Sequence, residues 1–258
     1  MPVTRGFFRK RPESRADRLP PGQYDVGRGW PVLTAEATPR VDLDSWTFSV
    51  GGLVERPSTW TWEDIQQLPR STYTGDIHCV TTWSKFDVSF TGVSVDDLLA
   101  AAEPRADAHF LMAHSTTGYT TNLTLSDVTG GKAWVVWEYG GEPLARQHGG
   151  PVRLLVPHLY FWKSAKWVSR LELLAEDQPG FWERNGYHDR GDPWLEQRYQ
   201  GDPGLSRSPR RGRSTALFRG RRRGPAAGSS PRTCRLPTPC GCGCWLMIGF
   251  GMLQGSTI

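Results

Sequence analysis

Cys79 is the first residue in this chain whose type invites chemistry. It is the only cysteine in the first 233 residues and closes a short strand-like stretch, Asp76-Ile77-His78-Cys79-Val80. That stretch delivers the thiol into a segment rich in Trp, Phe, Thr and Ser, which reads as a loop running to a glycine turn at Gly92. A lone thiol is more often a small buried hydrophobe than a reactive group. It becomes a nucleophile or a metal ligand only where its surroundings favour the thiolate. Close to it in sequence, His78 is a possible partner and Lys85 is the one cation able to attract an anionic substrate.

A second set of residues has anion-binding chemistry. In His148-Gly149-Gly150-Pro151-Val152-Arg153 an arginine enters an apolar strand, Pro151 to Pro157. A guanidinium does not shed its proton, so burial there requires a carboxylate or a phosphate as partner. Lys163, Ser164 and Lys166 follow on a turn and offer two cations and a hydroxyl. The plainer reading is an Arg153 ion pair with Glu172 or Asp127, with both lysines solvated; spacing alone does not choose between the two. Walker A, GxGxxG, GxSxG, HExxH and CxxCH patterns are all missing, and the six histidines do not fall at metal-ligand spacing. A thiol enzyme pairing Cys79 with one of those histidines remains a separate possibility.

These residues need elements to hold them. Ser45 to Val54 alternates as a strand, as does 120–125, and the stretches 109–114, 132–139 and 166–175 also read as strands. Residues 60–68 read as a helix capped by Thr61 and Asp64, and Val95 to Ala102 as a second helix opened by Ser94. Many short strands, few short helices and frequent Gly/Pro turns give an α+β, strand-rich single domain. The boundaries expected are a basic arm at 1–18, the domain at 19–200 and a tail at 201–258.

Composition separates that tail from the body. The formal charge of +5 misleads, because residues 201–258 hold ten arginines, one acid and no lysine, leaving residues 1–200 mildly acidic at −4. The body is therefore not built for nucleic acid. The tail, rich in Arg, Gly, Pro and Ser and carrying Cys234, Cys240, Cys242 and Cys244, cannot fold a core by itself. It reads as a disordered extension or the product of a shifted reading frame, with an RNA-binding basic tail as the sharper alternative. The basic N-terminus lacks the apolar stretch of an export signal, no run is long enough to span a membrane, and one cysteine in the body suits a reducing compartment. Cytoplasmic placement is the expectation.

Three stretches taken together resemble one family. IHCVTTWS around Cys79, HGGPVRLLVPHLYFWKSAKWVSRLEL from His148, and GFWERNGYHDRGDPW near the end resemble the molybdopterin-binding domain of the sulfite oxidase family. The resemblance is greatest to the bacterial branch that includes the catalytic subunit of the methionine-sulfoxide reductase, and covers about residues 19–199. It implies that Cys79 is the single protein ligand to molybdenum, and that His148, Arg153, Ser164, the backbone of Ala165 and Lys166 hold the cofactor. The family usually has an asparagine where His148 stands. Further contacts are expected around Trp30 to Leu33 and near His114 or Ser115. The implied reaction is oxygen-atom transfer with the molybdenum–molybdopterin cofactor, on a small oxyanion or an S- or N-oxide. Without a haem or flavin motif, electrons pass to or from a separate haem or flavin partner. A non-catalytic binding module of the same fold is the alternative of a different class.

Overall fold

The computed structural model describes residues 15–202; the start of the basic arm and the tail from residue 203, with its four cysteines, lie outside the described residues. Along the chain come β1 (Tyr24–Asp25), β2 (Thr47–Gly52), β3 (Ser58–Thr61), helix α1 (Trp62–Gln67), β4 (Ser71–His78) and β5 (Trp83–Ser94). Helix α2 (Val95–Ala102), β6 (Phe110–Ser115), β7 (Thr120–Thr124) and the one-turn α3 (Leu125–Val128) follow, then β8 (Trp134–Tyr139) and β9 (Glu142–Pro143). Last are β10 (Arg153–Leu155), β11 (Val168–Leu174) and the one-turn α4 (Phe181–Arg184). One sheet runs β1-β5-β8-β10, with β4 on β5 and β9 on β8; the other runs β3-β2-β11-β6-β7. The α+β, strand-rich class expected from the turns and alternation is what forms.

Local chemistry accounts for the boundaries. In β2 the buried Phe48 and Val50 alternate with more open Thr47 and Ser49, the period of a half-buried strand. Helix α1 opens on a capping box, in which Thr61 accepts from Asp64 N–H and the Asp64 carboxylate accepts from Thr61 N–H. It starts two residues later than the sequence suggests, because Trp60 and Thr61 are drawn into β3 by pairing with Phe48 and Thr47. Helix α2 matches its expected span, with Ser94 accepting from Asp97 N–H.

The larger departure follows the cysteine. The segment read as a loop to Gly92 is a twelve-residue strand, β5, paired with β4 on one side and β8 on the other. Its buried polar residues are satisfied by the carbonyls of Gly27, Arg28 and Gly29, distant in sequence, for Lys85 and by His78 of β4 for Ser84, so polarity misreads it as a loop. Gly92 is not a turn but the point of closest approach to β8, where a Cβ would lie 2.0 Å from the Val135 carbonyl oxygen.

Two apolar clusters form the core. The larger packs Phe48, Val50, Leu111, Leu171 and Leu173 against Leu98 and Leu99 of α2. The smaller gathers Ile77, Trp83, Phe90, Val136 and Leu155 around Cys79, with Trp30 and Phe161 laid over it. Cys79 thus emerges at the edge of a rigid apolar patch. From there β10 doubles back on the residues before β11: Leu154 N–H donates to the Ala165 carbonyl at 2.8 Å and Val156 N–H to Ser164 Oγ at 2.9 Å.

Candidate functional site

Immediately after β4 the chain turns sharply to bring Cys79 out of the sheet. Cys79 N–H donates to the Trp83 carbonyl at 2.8 Å, and Thr82 N–H donates to the Cys79 carbonyl at 3.0 Å. Closing this turn puts Thr82 at a φ of 75°, in the left-handed region that a β-branched residue disfavours. Gln23, from the segment before β1, donates to the Cys79 carbonyl at 3.1 Å. Arg198, from the far end of the described chain, donates to the Val80 carbonyl. The thiol is buried, with its Sγ 3.1 Å from Thr81 Oγ1. Burial raises its pKa, while hydrogen bonds from Thr81 and the charge of Lys166 pull the other way. Among the described residues no histidine partners the sulfur; His78 turns its Nδ1 to Ser84 Oγ at 2.8 Å. A raised thiol without an imidazole is the opposite of what a thiol enzyme needs, so that alternative loses its chemistry.

Facing the thiol is a basin of cations held by carbonyls. Arg153 is 1% exposed and donates through Nη1 to the His148 carbonyl and through Nη2 to the Ser164 carbonyl, both at 2.7 Å. Its guanidinium carbon also lies 4.0 Å from the centre of the Phe161 ring. Lys166 donates to the carbonyls of Leu33 at 2.8 Å and Gln147 at 2.7 Å. Among the described residues neither cation meets a carboxylate. The expected ion pair of Arg153 with Glu172 or Asp127 does not form: Glu172 pairs with His114 and Arg170, and Asp127 with His158 and Arg190. Burial, then the charge of Arg153, lowers Lys166 to about 7. Burial also lowers Arg153, which stays charged as guanidinium does in proteins. Buried positive charge answered only by carbonyl dipoles is costly, and a bound anion relieves it.

Gly149 allows the basin to close. At a φ of 111° it needs a glycine, and an added Cβ would lie 3.0 Å from the Arg153 Cβ and 3.1 Å from that of Lys166. His148, next to it, lies flat on Trp30, with ring centres 3.7 Å apart and planes at 8°. Burial, with Arg153, Lys166 and Lys85 nearby, brings the imidazole down to about 4, so it is neutral at ordinary pH. Ser164 is buried and its hydroxyl oxygen already accepts from Val156 N–H, which leaves its proton to give. Ala165 is buried beside it, its carbonyl engaged by Leu154 N–H. The structure therefore brings together Cys79, His148, Arg153, Ser164, Ala165 and Lys166, from segments far apart in sequence.

Two lysines leave the picture drawn from sequence. Lys163 is neither solvated nor part of the basin: it is fully buried, 2.6 Å from Glu183 Oε1 and 2.8 Å from both the carbonyl and the amide oxygen of Asn122. Its chain neighbour Ser164 caps the 3-10 turn Phe161–Lys163, and its hydroxyl meets Val156 N–H instead. Lys85 is buried too and spends its three N–H donors on the carbonyls of Gly27, Arg28 and Gly29, at 3.1, 3.3 and 2.9 Å. It organises the segment leading to Trp30 rather than meeting substrate. Of the further contacts expected, Trp30 and Leu33 do reach the basin, and Ser115 Oγ donates to the Lys166 carbonyl at 2.5 Å. Gln23 and Arg198 reach the cysteine's turn without any signal in their local sequence, since each arrives only through tertiary pairing, whereas Phe161 lies within the stretch from His148 that carries the resemblance.

The comparisons agree with this geometry. Residues 35–182 match the family described as "Oxidoreductase molybdopterin binding domain". The chain is 42% identical over 197 residues to the uncharacterized oxidoreductase YuiH of Bacillus subtilis (strain 168), covering 76% of this chain and 99% of that protein. It is 26% identical over 153 residues to the protein-methionine-sulfoxide reductase catalytic subunit MsrP of Ralstonia nicotianae, covering 53% of this chain and 46% of the relative. With sulfite oxidase of Arabidopsis thaliana it shares 28% over 185 residues, covering 58% and 47%. It thus spans nearly the whole of the first relative and about half of the other two. The fold is similar to that of the sulfane dehydrogenase SoxCD from Paracoccus pantotrophus, with a TM-score of 0.51 and 23% identity, covering 58% of this chain and 42% of that one. The chain belongs to the oxidoreductase molybdopterin-binding domain family, as a sulfite oxidase-like enzyme whose cofactor is molybdenum–molybdopterin.

Proposed function

We propose that the chain catalyses oxygen-atom transfer on a small oxyanion or an S- or N-oxide, with Cys79 as the one protein ligand to molybdenum. One observation carries this reading: the buried thiol shares its surroundings with Arg153 and Lys166, two cations answered only by carbonyls. When bound, the cofactor supplies the two-electron chemistry by which an oxygen atom is gained or lost. The residues present fit such a group. A soft thiolate suits molybdenum, and a phosphate supplies the negative charge the basin lacks.

The roles of the chain's own residues follow from their states. Cys79, held protonated by burial, gives up its proton on ligation, and the positive charge of Lys166 favours that loss. Arg153 and Lys166 neutralise the anionic end, and the Ser164 hydroxyl and the Ala165 amide donate beside them. His148, neutral and braced on Trp30, offers ring nitrogens at a fixed orientation. Electrons pass to or from a separate haem or flavin partner, and the protein works in the cytoplasm. Among the described residues no helix is long and apolar enough to cross a membrane.

Metal and pterin analysis tests the reading directly. Protein expressed in a cofactor-competent host carries about one molybdenum per chain, and Cys79→Ser loses the thiolate contribution to the metal's absorption while remaining folded. A wild-type protein free of metal and pterin would sink the proposal and favour a non-catalytic module.

A further inference from the structure

Between β1 and β2 the chain passes over the basin as a strap with no helix or strand, residues 26–41, and cations hold it by its carbonyls. At its start Lys85 donates to the carbonyls of Gly27, Arg28 and Gly29. Near its end the exposed Arg146 donates through Nη2 to the Pro39 carbonyl at 2.9 Å. Midway, Lys166 holds the Leu33 carbonyl. Trp30 is stacked on His148, and its ring centre lies 6.4 Å from that of Phe161, the ring on which the Arg153 guanidinium packs. The strap is thereby laid across the groups that hold Arg153 and onto Lys166 itself. Among the described residues, no backbone N–H from 30 to 42 donates to a backbone carbonyl. Glu36 also carries a carboxylate oxygen, Oε2, that is buried with no hydrogen-bond partner, and lifting the strap would hydrate it. A segment without a backbone ladder opens at a cost set by its few latches, well below that of global unfolding.

On the molybdenum reading above, on which this rests, we propose that residues 30–39 are the gate through which the cofactor's anionic end reaches Arg153 and Lys166 in the folded chain. Lys85 and Arg146 anchor the two ends of the gate, and the Trp30–His148 stack and the Leu33 carbonyl latch its middle. Lys166 couples latch to cargo, because an arriving anion competes with the Leu33 carbonyl for the same ammonium. A bond between two charges is stronger than one to a neutral carbonyl, so the exchange favours the anion and loosens the strap at the latch. The stack of Trp30 on His148 then re-forms and shuts the basin from solvent.

The test compares full-length wild type, Arg146→Ala and Arg146→Lys from a host that makes no molybdopterin. Among the described residues the Arg146 side chain has one hydrogen bond, to Pro39, and a lysine can still donate there. Thermolysin, which cuts before apolar residues, reaches the Val32–Leu33 bond when the strap is lifted, and mass spectrometry reads that cut. Molybdopterin with molybdate is added to un-nicked protein, and bound molybdenum and pterin are followed in time. In Arg146→Ala both the nick and the uptake are expected to be roughly 3- to 10-fold faster, with the urea midpoint and final molybdenum content of wild type; Arg146→Lys behaves as wild type. Faster nicking with unchanged uptake overturns the inference, as does nicking of Arg146→Ala at the wild-type rate. A lowered urea midpoint that accounts for the faster nicking overturns it too, and so does uptake by none of the folded proteins when the same chain is loaded in a cofactor-competent host. A chain without molybdenum from that host is a separate result: it removes the cofactor reading, and this inference falls with it.

Discussion

Lys166 donates to carbonyls of Leu33 and Gln147, on the same two segments that the Trp30–His148 stack joins, and burial brings its ammonium down from the usual 10.5 to about 7. Burial is the main cause and Arg153 the second. Between those two values the unfolded chain holds a proton that the folded chain does not. Raising the pH through that window therefore relieves a cost of folding, and stability from this group rises with pH. Thermal melts of cofactor-free wild type and Lys166→Met between pH 6.5 and 9 should show the difference moving in the wild type's favour above pH 7. Saturating sulfate should flatten the trend, because an anion in the basin keeps the lysine charged. A difference that does not change with pH would mean that Lys166 is solvated.

The loop that carries His148 and Gly149 is set by backbone approach rather than by side-chain preference. Gly149→Ala forces a Cβ between Arg153 and Lys166 at a φ of 111°, so the two cations must spread. A loss of about 1–3 kcal/mol in urea unfolding is expected, together with a larger fractional loss of bound molybdenum than of stability. Wild-type metal content in that variant would place the cofactor elsewhere.

Periodicity found β2, α2 and β11, which bury one face more than the other, whereas β6, β7 and β8 are buried on both faces and were legible as short apolar or β-branched runs between turns. It missed β5, whose alternation is hidden by Ser84 and Lys85, two polar residues buried by partners brought from elsewhere. Cys79, Arg153, Ser164 and Lys166 were legible as types suited to chemistry. The fate of Lys163 was not, since its partners Glu183 and Asn122 lie 20 and 41 residues away in sequence.

Across the whole molecule, that buried pair works as a fastening. Lys163 follows β10 of one sheet, Asn122 belongs to β7 of the other, and Glu183 opens the closing segment; Trp162 Nε1 adds a bond to Glu183 Oε1 at 3.0 Å. Removing one charge strands the other in an apolar interior. Lys163→Met should cost roughly 3–5 kcal/mol in chemical denaturation, and adding Glu183→Gln should recover much of it. If the double variant is no better than the single, the two charges do not depend on each other.

The turn bearing Cys79 is gripped from both flanks of the described chain, by Gln23 at its carbonyl and by Arg198 at the next one. During synthesis the first grip is available early, but the second waits until residue 198 has left the ribosome. A nascent chain with β4, β5 and the cysteine already folded still lacks the contact that fixes the turn. The cysteine's turn therefore has its full set of contacts only once the chain has been made as far as residue 198.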